Sequence, residues 1–350
     1  MSRFERAFEI GGRPVGPGTP AYVIAEAGAN HNRDLDIARE LIDVAARAGA
    51  DAVKFQTYTG RDLYSSRTPR FDYLADDRSP QELLDAIALP REWQPLLAEH
   101  ATERGIQFFS SPFDFAAVDS LRELGVPAMK IASFEIVDLP LIRHAAAAGV
   151  PLIVSTGMAT YGEIEDALAA AAEAGNREVA LLRCASVYPA APEVMNLRAI
   201  ATLRDAFGVP VGLSDHSEGI AVAAGAAALG SELLEKHFTL DRTMPGPDHP
   251  FALEPDELTA MIAGIREVEA ALGHGRLEGP SEAEADEMYS LARRSVIAAR
   301  DIAAGTVISA EMLTIKRPGT GVAPKHLPLL VGRTARVDIP FDEPVTWEMV

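Results

Sequence analysis

The chain has 350 residues, 48% of them hydrophobic, and carries a formal net charge of -19. That length and content suit a globular protein with a large buried core, and the acidic balance excludes nucleic acid and anionic membrane as partners, since both bind through net positive surface. Cys184 is the only cysteine, the N-terminus MSRFERAFEI lacks the apolar run of a signal peptide, and no stretch reaches the ~18 apolar residues of a membrane span, so cytoplasmic residence without disulfides is expected.

Short apolar runs, several rich in β-branched residues, recur along the chain, each followed by a turn and a helical stretch rich in Ala, Leu and Glu. They are AYVIAEAG from Ala21, DAVKFQT from Asp51, IQFFSSP from Ile106, AMKIAS from Ala128, PLIVSTG from Pro151, VALLRCAS from Val179, VPVGLSDH from Val209 and SELLEKHF from Ser231. Eight such units over roughly 250 residues predict a (β/α)8 barrel, whereas a doubly wound sheet more often stops at five or six strands. Between the first two runs, LDIARELIDVAARAG from Leu35 has apolar residues at helical spacing and ends at Gly49, suited to a left-handed cap. The second connection, residues 58 to 90, is longer than an ordinary βα loop, and loops of that length on this architecture usually serve the active site. A last helix, PDELTAMIAGIREVEAALG, precedes a polar acidic stretch, GRLEGPSEAEADE. From about Leu291 the texture changes to short β-prone runs and glycine turns. The expected organisation is therefore an α/β barrel domain over 1–275, a linker over 276–290 and a small β-rich domain over 291–350.

Polar residues gather at the carboxyl ends of the proposed strands: Glu26, Lys54 with Gln56, Ser110 with Ser111, Lys130 with Ser133, Ser155 with Thr156, Ser214 with His216, and Glu235 with His237. In (β/α)8 enzymes that end holds the site. Side chains alternate along a strand, so Lys54 and Gln56 share a face, as do Glu235 and His237, while Lys236 points the other way and is expected to snorkel between its strand and a helix. His216 and His237 end neighbouring strands about 4.8 Å apart, close enough for both imidazoles to reach one ion. Two neutral imidazoles completed by water and substrate oxygens suit Mn²⁺ or Mg²⁺, whereas a structural zinc site wants four protein ligands. Lys54 and Lys130, with the hydroxyls of Ser110, Ser133, Ser155 and Ser214, form a set that would neutralise a phosphate and a carboxylate. Any one of these serines also fits the cap of the following helix.

The motifs IAEAGANHN at Ile24, DAVKFQT at Asp51, FFSSPFD at Phe108, KIAS at Lys130, STGM at Ser155, GLSDH at Gly212, EKHFTLD at Glu235, GPDHPFALEP at Gly246 and KRPGTG at Lys316 resemble the sialic acid synthase family, in order, from about residue 20 to the C-terminus. The resemblance implies a (β/α)8 TIM barrel followed by an antifreeze-like (SAF) domain, swapped across a homodimer. It implies condensation of phosphoenolpyruvate with an acetamido hexose, of N-acetylmannosamine or 2,4-diacetamido-trideoxy type, with release of phosphate. By motif, His216 and His237 would hold the metal, and Lys54, Lys130, Ser111, Ser133, Ser155 and Ser214 would surround phosphoenolpyruvate. Glu26 and Gln56 would sit by the reacting carbons, and Asp248 and Tyr188 would help hold the sugar. Arg317, from the partner's tail domain, would reach the acetamido group. Asn30 and His31 belong to the NHN motif without an assigned role. SFEIVD at Ser133 looks like pseudaminic acid synthases and some spore-coat relatives, whereas GPDH at Gly246 resembles the sialic and legionaminic branches. A metal-dependent sugar aldolase or isomerase is the rival reading, since it could share the barrel and the histidines yet needs no phosphoenolpyruvate.

Overall fold

The chain opens on a hairpin that the apolar pattern does not announce, β1 (Phe8–Ile10) against β2 (Arg13–Val15). Each of the eight predicted runs then forms a strand: β3 (Tyr22–Gly28), β4 (Ala52–Thr57), β5 (Gln107–Pro112), β6 (Met129–Ile131), β7 (Leu152–Ser155), β8 (Val179–Cys184), β9 (Val211–Asp215) and β10 (Leu233–His237). All pair in parallel with their neighbours, and β10 returns to β3, so the sheet closes into a barrel. The computed structural model describes residues 4–69, 78–285 and 287–350, and it divides into two units, Met1–Gly273 and His274–Val350.

Closure follows from burial on both faces. Every residue of β3, β9 and β10 is buried, because one face meets the barrel interior and the other the ring of helices. The helix Leu35–Ala48 shows how the outer layer is made. Asp34 caps it by accepting from the amides of Asp36 and Ile37, Leu41, Ile42 and Ala45 face the sheet, and Gly49 ends it in the left-handed region at φ 85°. Each fully buried Leu or Ile contributes on the order of 1.5–3 kcal/mol, so the apolar stripe rather than helix propensity holds the layer in place.

The long connection after β4 contains the helices Gly60–Leu63 and Pro80–Ile87, the second opened by a capping box between Ser79 and Glu82. Its residues 70–77 lie outside the described residues. The helix Pro255–Leu272 ends the barrel unit. Across the end of the expected linker lies a short helix, Glu287–Ala292. The second unit is β-rich: β11 (Ser295–Ala298) pairs antiparallel with β12 (Leu313–Lys316), over a core that includes Val296, Ile302, Ile308, Leu330 and Val345. Among the described residues no helix is long and apolar enough to cross a membrane.

Candidate active site

The carboxyl end of the barrel holds one charged cavity. Glu26, Lys54, Gln56, Lys130, Glu235 and His237 line it, together with Ser111, Ser133, Ser155, Ser214, Tyr188 and His216. Wider clefts open elsewhere on the barrel, but neither of the two largest brings lysines and histidines together. The strand alternation places the groups as expected: Lys54 and Gln56 point inward from β4, Glu235 and His237 from β10. At the end of β3 the register shifts between Glu26 and Gly28, and Gly28 has φ +52°. A side chain at Gly28 would be strained and would stand 3.1 Å from Asp248 Oδ2, so the glycine lets the GPDH loop approach Glu26.

Two lysines and two carboxylates form the centre of the cavity. Lys54 Nζ lies 2.6 Å from Glu26 Oε2, 3.8 Å from Glu235 Oε1 and 3.2 Å from the Ser111 hydroxyl. Lys130 Nζ is 3.9 Å from Glu235 Oε1 and donates to the Ile131 carbonyl. Gln56 Nε2 donates to Glu26 Oε1 at 2.8 Å, and Ser214 donates to Glu235 at 3.1 Å. Burial opposes every one of these charges, and the outcome differs by neighbour. Burial raises Glu26 to about 7 even against Lys54. Glu235 also feels burial, but Lys130 and Lys54 more than offset it and hold its carboxyl below the usual range. Lys54 is held above the ordinary lysine value because Glu235 and Glu26 outweigh its desolvation, whereas burial wins at Lys130 and lowers it. Two similar carboxylates are thus split, one ready to exchange a proton near neutrality and one fixed as an anion.

The two histidines sit with ring centroids 5.3 Å apart. His216 Nδ1 is 2.8 Å from the Ala185 carbonyl, which can only accept, so Nδ1 carries a proton. Burial opposes the ring's charge, but Cys184 and the Ala185 carbonyl more than offset it and raise the imidazole above its ordinary value, and Nε2 presents its lone pair once the ring is neutral. His237 Nδ1 is buried without a hydrogen-bond partner, 3.5 Å from Asp248 Oδ2. Burial, then the nearby His216 and Lys54, keep His237 well below the ordinary imidazole range and therefore neutral. Among the described residues no three His, Cys, Asp or Glu side chains form a complete metal cage. The pair instead fits an ion that draws its other ligands from water and substrate, and an orphaned buried imidazole nitrogen is what such an ion would satisfy.

Several expectations change. Ser110 does not join the cavity: its hydroxyl lies 2.7 Å from that of Thr57, which Gln94 also reaches, because Ser110 alternates with the inward Ser111. The Thr156 hydroxyl donates to the Leu182 carbonyl and ties the end of β7 to β8. Lys236 does not snorkel: it is 2% exposed and its Nζ pairs with Asp215 Oδ2 at 2.9 Å. Asn30 ties the turn after β3 to the Phe238 carbonyl, and His31 accepts from the Arg33 amide while burial lowers it to about 4, so both shape the loop. Arg317 follows β12 in the second unit.

Two further groups, Glu235 and Cys184, line the cavity, and a third, Glu135, interacts with Lys130 from outside that lining. Glu235 shares a face with His237 in the sequence pattern, yet only its position between two lysines reveals its part. Cys184 Sγ lies 3.7 Å from His216 Nδ1, and although burial pushes the thiol up, His216, Ser133 and Lys130 bring it down to about 7. Glu135, within SFEIVD, has a buried Oε2 with no partner, and burial raises it to about 7 against the pull of Lys130. A raised carboxyl is held protonated in the fold while the unfolded chain ionises from about 4.5. Stability from this group is therefore intact below about pH 4.5, falls as pH rises to about 7 and is flat above. Glu135→Gln is expected to recover on the order of 2–3 kcal/mol at pH 8 relative to pH 4, read as Tm against pH; parallel Tm curves for parent and variant would refute it.

A buried set of opposed charges at the carboxyl rim of eight parallel strands defines a (β/α)8 enzyme, here followed by a β-rich second domain. The chain belongs to the NeuB family, whose model matches residues 41–277, and residues 293–350 match the SAF domain. A Legionella pneumophila protein named N,N'-diacetyllegionaminic acid synthase is 39% identical over 346 residues, covering 97% of each chain. A Campylobacter jejuni pseudaminic acid synthase is 38% identical, covering 92% of this chain and 94% of its own. Among solved structures, the N-acetylneuraminic acid synthetase of Leptospira borgpetersenii superposes with a TM-score of 0.73 at 35% identity, over 81% of this chain and 96% of that one.

Proposed function

We propose that this enzyme condenses phosphoenolpyruvate with an acetamido hexose to give a nonulosonic acid and inorganic phosphate. The observation that carries the reading is the convergence of Lys54, Lys130 and the Ser133, Ser155 and Ser214 hydroxyls in the same buried cavity as Glu26 and the two histidines. A sugar aldolase or isomerase needs no such double cationic cradle, and the relatives named as nonulosonic acid synthases support the same direction.

In this reading Lys54 and Lys130 offset the carboxylate and phosphate of phosphoenolpyruvate, and the serine hydroxyls donate to its oxygens. Tyr188 and Asp248 orient the sugar, with Gln56 holding the Glu26 carboxyl in place. A divalent ion, Mn²⁺ or Mg²⁺, between His216 and His237 would supply Lewis-acid polarisation of the open-chain aldehyde. C3 of phosphoenolpyruvate attacks that aldehyde carbon, water adds at C2, and the hemiketal phosphate collapses by C–O cleavage. Glu26 takes the proton from the added water. Arg317 from a second copy would complete the sugar end, which makes a domain-swapped homodimer the proposed assembly.

The test is phosphate release from phosphoenolpyruvate with Mn²⁺, with N-acetylmannosamine and 2,4-diacetamido-trideoxy hexoses supplied separately. Release that depends on one of these sugars supports the proposal and names the branch. No release with any of them would return the aldolase or isomerase reading.

Gly157 offers a sharper test of the phosphate end. Its amide donates to the Ser133 hydroxyl at 3.2 Å, and a Cβ placed there would stand 2.1 Å from the Ser186 hydroxyl and 2.6 Å from that of Ser133. Gly157→Ala must push Ser133 aside, at a cost of about 1–3 kcal/mol in stability. The expected result is at least a tenfold rise in KM for phosphoenolpyruvate with the sugar KM little changed; an unaltered phosphoenolpyruvate KM would remove Ser133 from the phosphate site.

A further inference from the structure

Lys236 and Asp215 are buried charges that the proposed chemistry does not use. They point away from the cavity, on the outer face of β10 and β9, and they are 2% and 1% exposed. They are also register partners, the last pair of the ladder between the two strands, with Glu235 opposite Ser214 one step before. His216 and His237 stand one residue beyond that pair, on the inward face. Lys236 Nζ pairs with Asp215 Oδ2 at 2.9 Å and donates to the Ser217 carbonyl, while the Ser217 amide and hydroxyl donate to Asp215 Oδ1 at 2.9 and 2.6 Å. The turn that carries His216 is therefore folded back on both sides onto one ion pair.

Such a pair needs a reason. The desolvation of two buried charges roughly cancels their attraction, and apolar residues of similar volume often serve stability as well or better. What an ion pair adds is register. A slip of one residue in β10 would turn Lys236 into the cavity and send Glu235 and His237 outward, and it would leave Asp215 buried without a counter-charge.

We propose that Lys236 and Asp215, strapped by Ser217, are positioning residues that lock β9 against β10 so that His216 and His237 converge on one divalent ion. The inference rests on the metal reading of these histidines given above. It assigns the middle residue of the Glu235–Lys236–His237 run a role in aligning its two neighbours.

The experiment is Mn²⁺ binding by calorimetry, without substrate, in the full chain and in four variants. The full chain should bind and His237→Ala should not; a full chain that binds no Mn²⁺ would overturn the metal reading and this inference with it. With that control in place, Asp215→Leu/Lys236→Met tests the lock. The double variant is expected to fold, with Tm at or above that of Lys236→Met alone, which strands Asp215. Its Mn²⁺ Kd should weaken at least tenfold, the range seen when groups that orient metal ligands are removed. Its KM for phosphoenolpyruvate should move less than its Mn²⁺ Kd, since Lys54 and Lys130 lie on β4 and β6 and Ser155 on β7, and of the groups placed around phosphoenolpyruvate only Ser214 lies on β9. A folded double variant with Kd within twofold of the parent would overturn the proposal. If it fails to fold, Ser217→Ala decides, because it keeps the charges and the backbone contacts and removes the hydroxyl that donates to Asp215 Oδ1 at 2.6 Å: about threefold weaker Mn²⁺ binding is expected, and parental affinity would sink the idea.

Discussion

His237→Ala is expected to lower metal-dependent phosphate release by about a thousandfold or more while the barrel stays folded. Lewis-acid polarisation of a carbonyl is worth several kcal/mol, and each 1.36 kcal/mol is a factor of ten in rate. The backbone at this position does not depend on the ring: His237 pairs with Glu26 in the ladder, and its carbonyl accepts from the Leu253 amide at 3.0 Å. The ring lies 5.2 Å from Phe251 and 5.3 Å from His216, centroid to centroid, so its loss opens a gap. That gap is polar and close to solvent-accessible Tyr188, and it removes a buried nitrogen that has no partner, a group that costs about 1–3 kcal/mol. The two effects oppose, and Tm should move by only a few degrees. The residual rate of the variant should be the same with and without a chelator. Full metal-dependent turnover in a folded variant would remove His237 from the metal site.

How far the sequence reaches can be seen strand by strand. All eight barrel strands begin within two residues of the apolar runs that announce them, because a strand buried on both faces leaves an unbroken hydrophobic signature. The hairpin Phe8–Val15 escapes, since three-residue strands carry too little pattern to separate from loop. Within the site, alternation places Lys54, Gln56, Glu235 and His237 inward and Lys236 outward. It does not separate Ser110 from Ser111, because where a strand ends and which serine points in depend on the backbone beyond the run. Nor does it show that Lys236 finds Asp215, a contact between residues 21 positions apart. The raised Glu135 is invisible for a related reason. A glutamate in a turn reads as solvated until the packing around it is known.

Glu26→Gln carries the second large effect, and its sign with pH is the useful part. The carboxyl sits between Lys54 Nζ at 2.6 Å and Gln56 Nε2 at 2.8 Å, both donors. An amide in its place must present its own NH₂ to one of them, so the variant loses both the proton acceptor and the fit. Removal of a positioned proton-transfer group costs about 10²–10⁴-fold. In the proposed mechanism the carboxylate form of Glu26 would accept the proton from water; because burial raises Glu26 to about 7, that form appears only as pH climbs through neutrality, and kcat/KM of the parent should rise across that interval. Stability runs the other way. The unfolded chain ionises at about 4.5 while the folded protein still holds the proton, so this group's contribution is complete at low pH and is lost between about 4.5 and 7. One side chain thus makes the enzyme more active and less stable over the same rise in pH. Glu26→Gln should remove the rising limb in kcat/KM and make the fall in Tm shallower, with the share owed to Glu135 remaining, measured from pH 5 to 8. A variant that keeps the rising limb in kcat/KM would assign that proton transfer to another group.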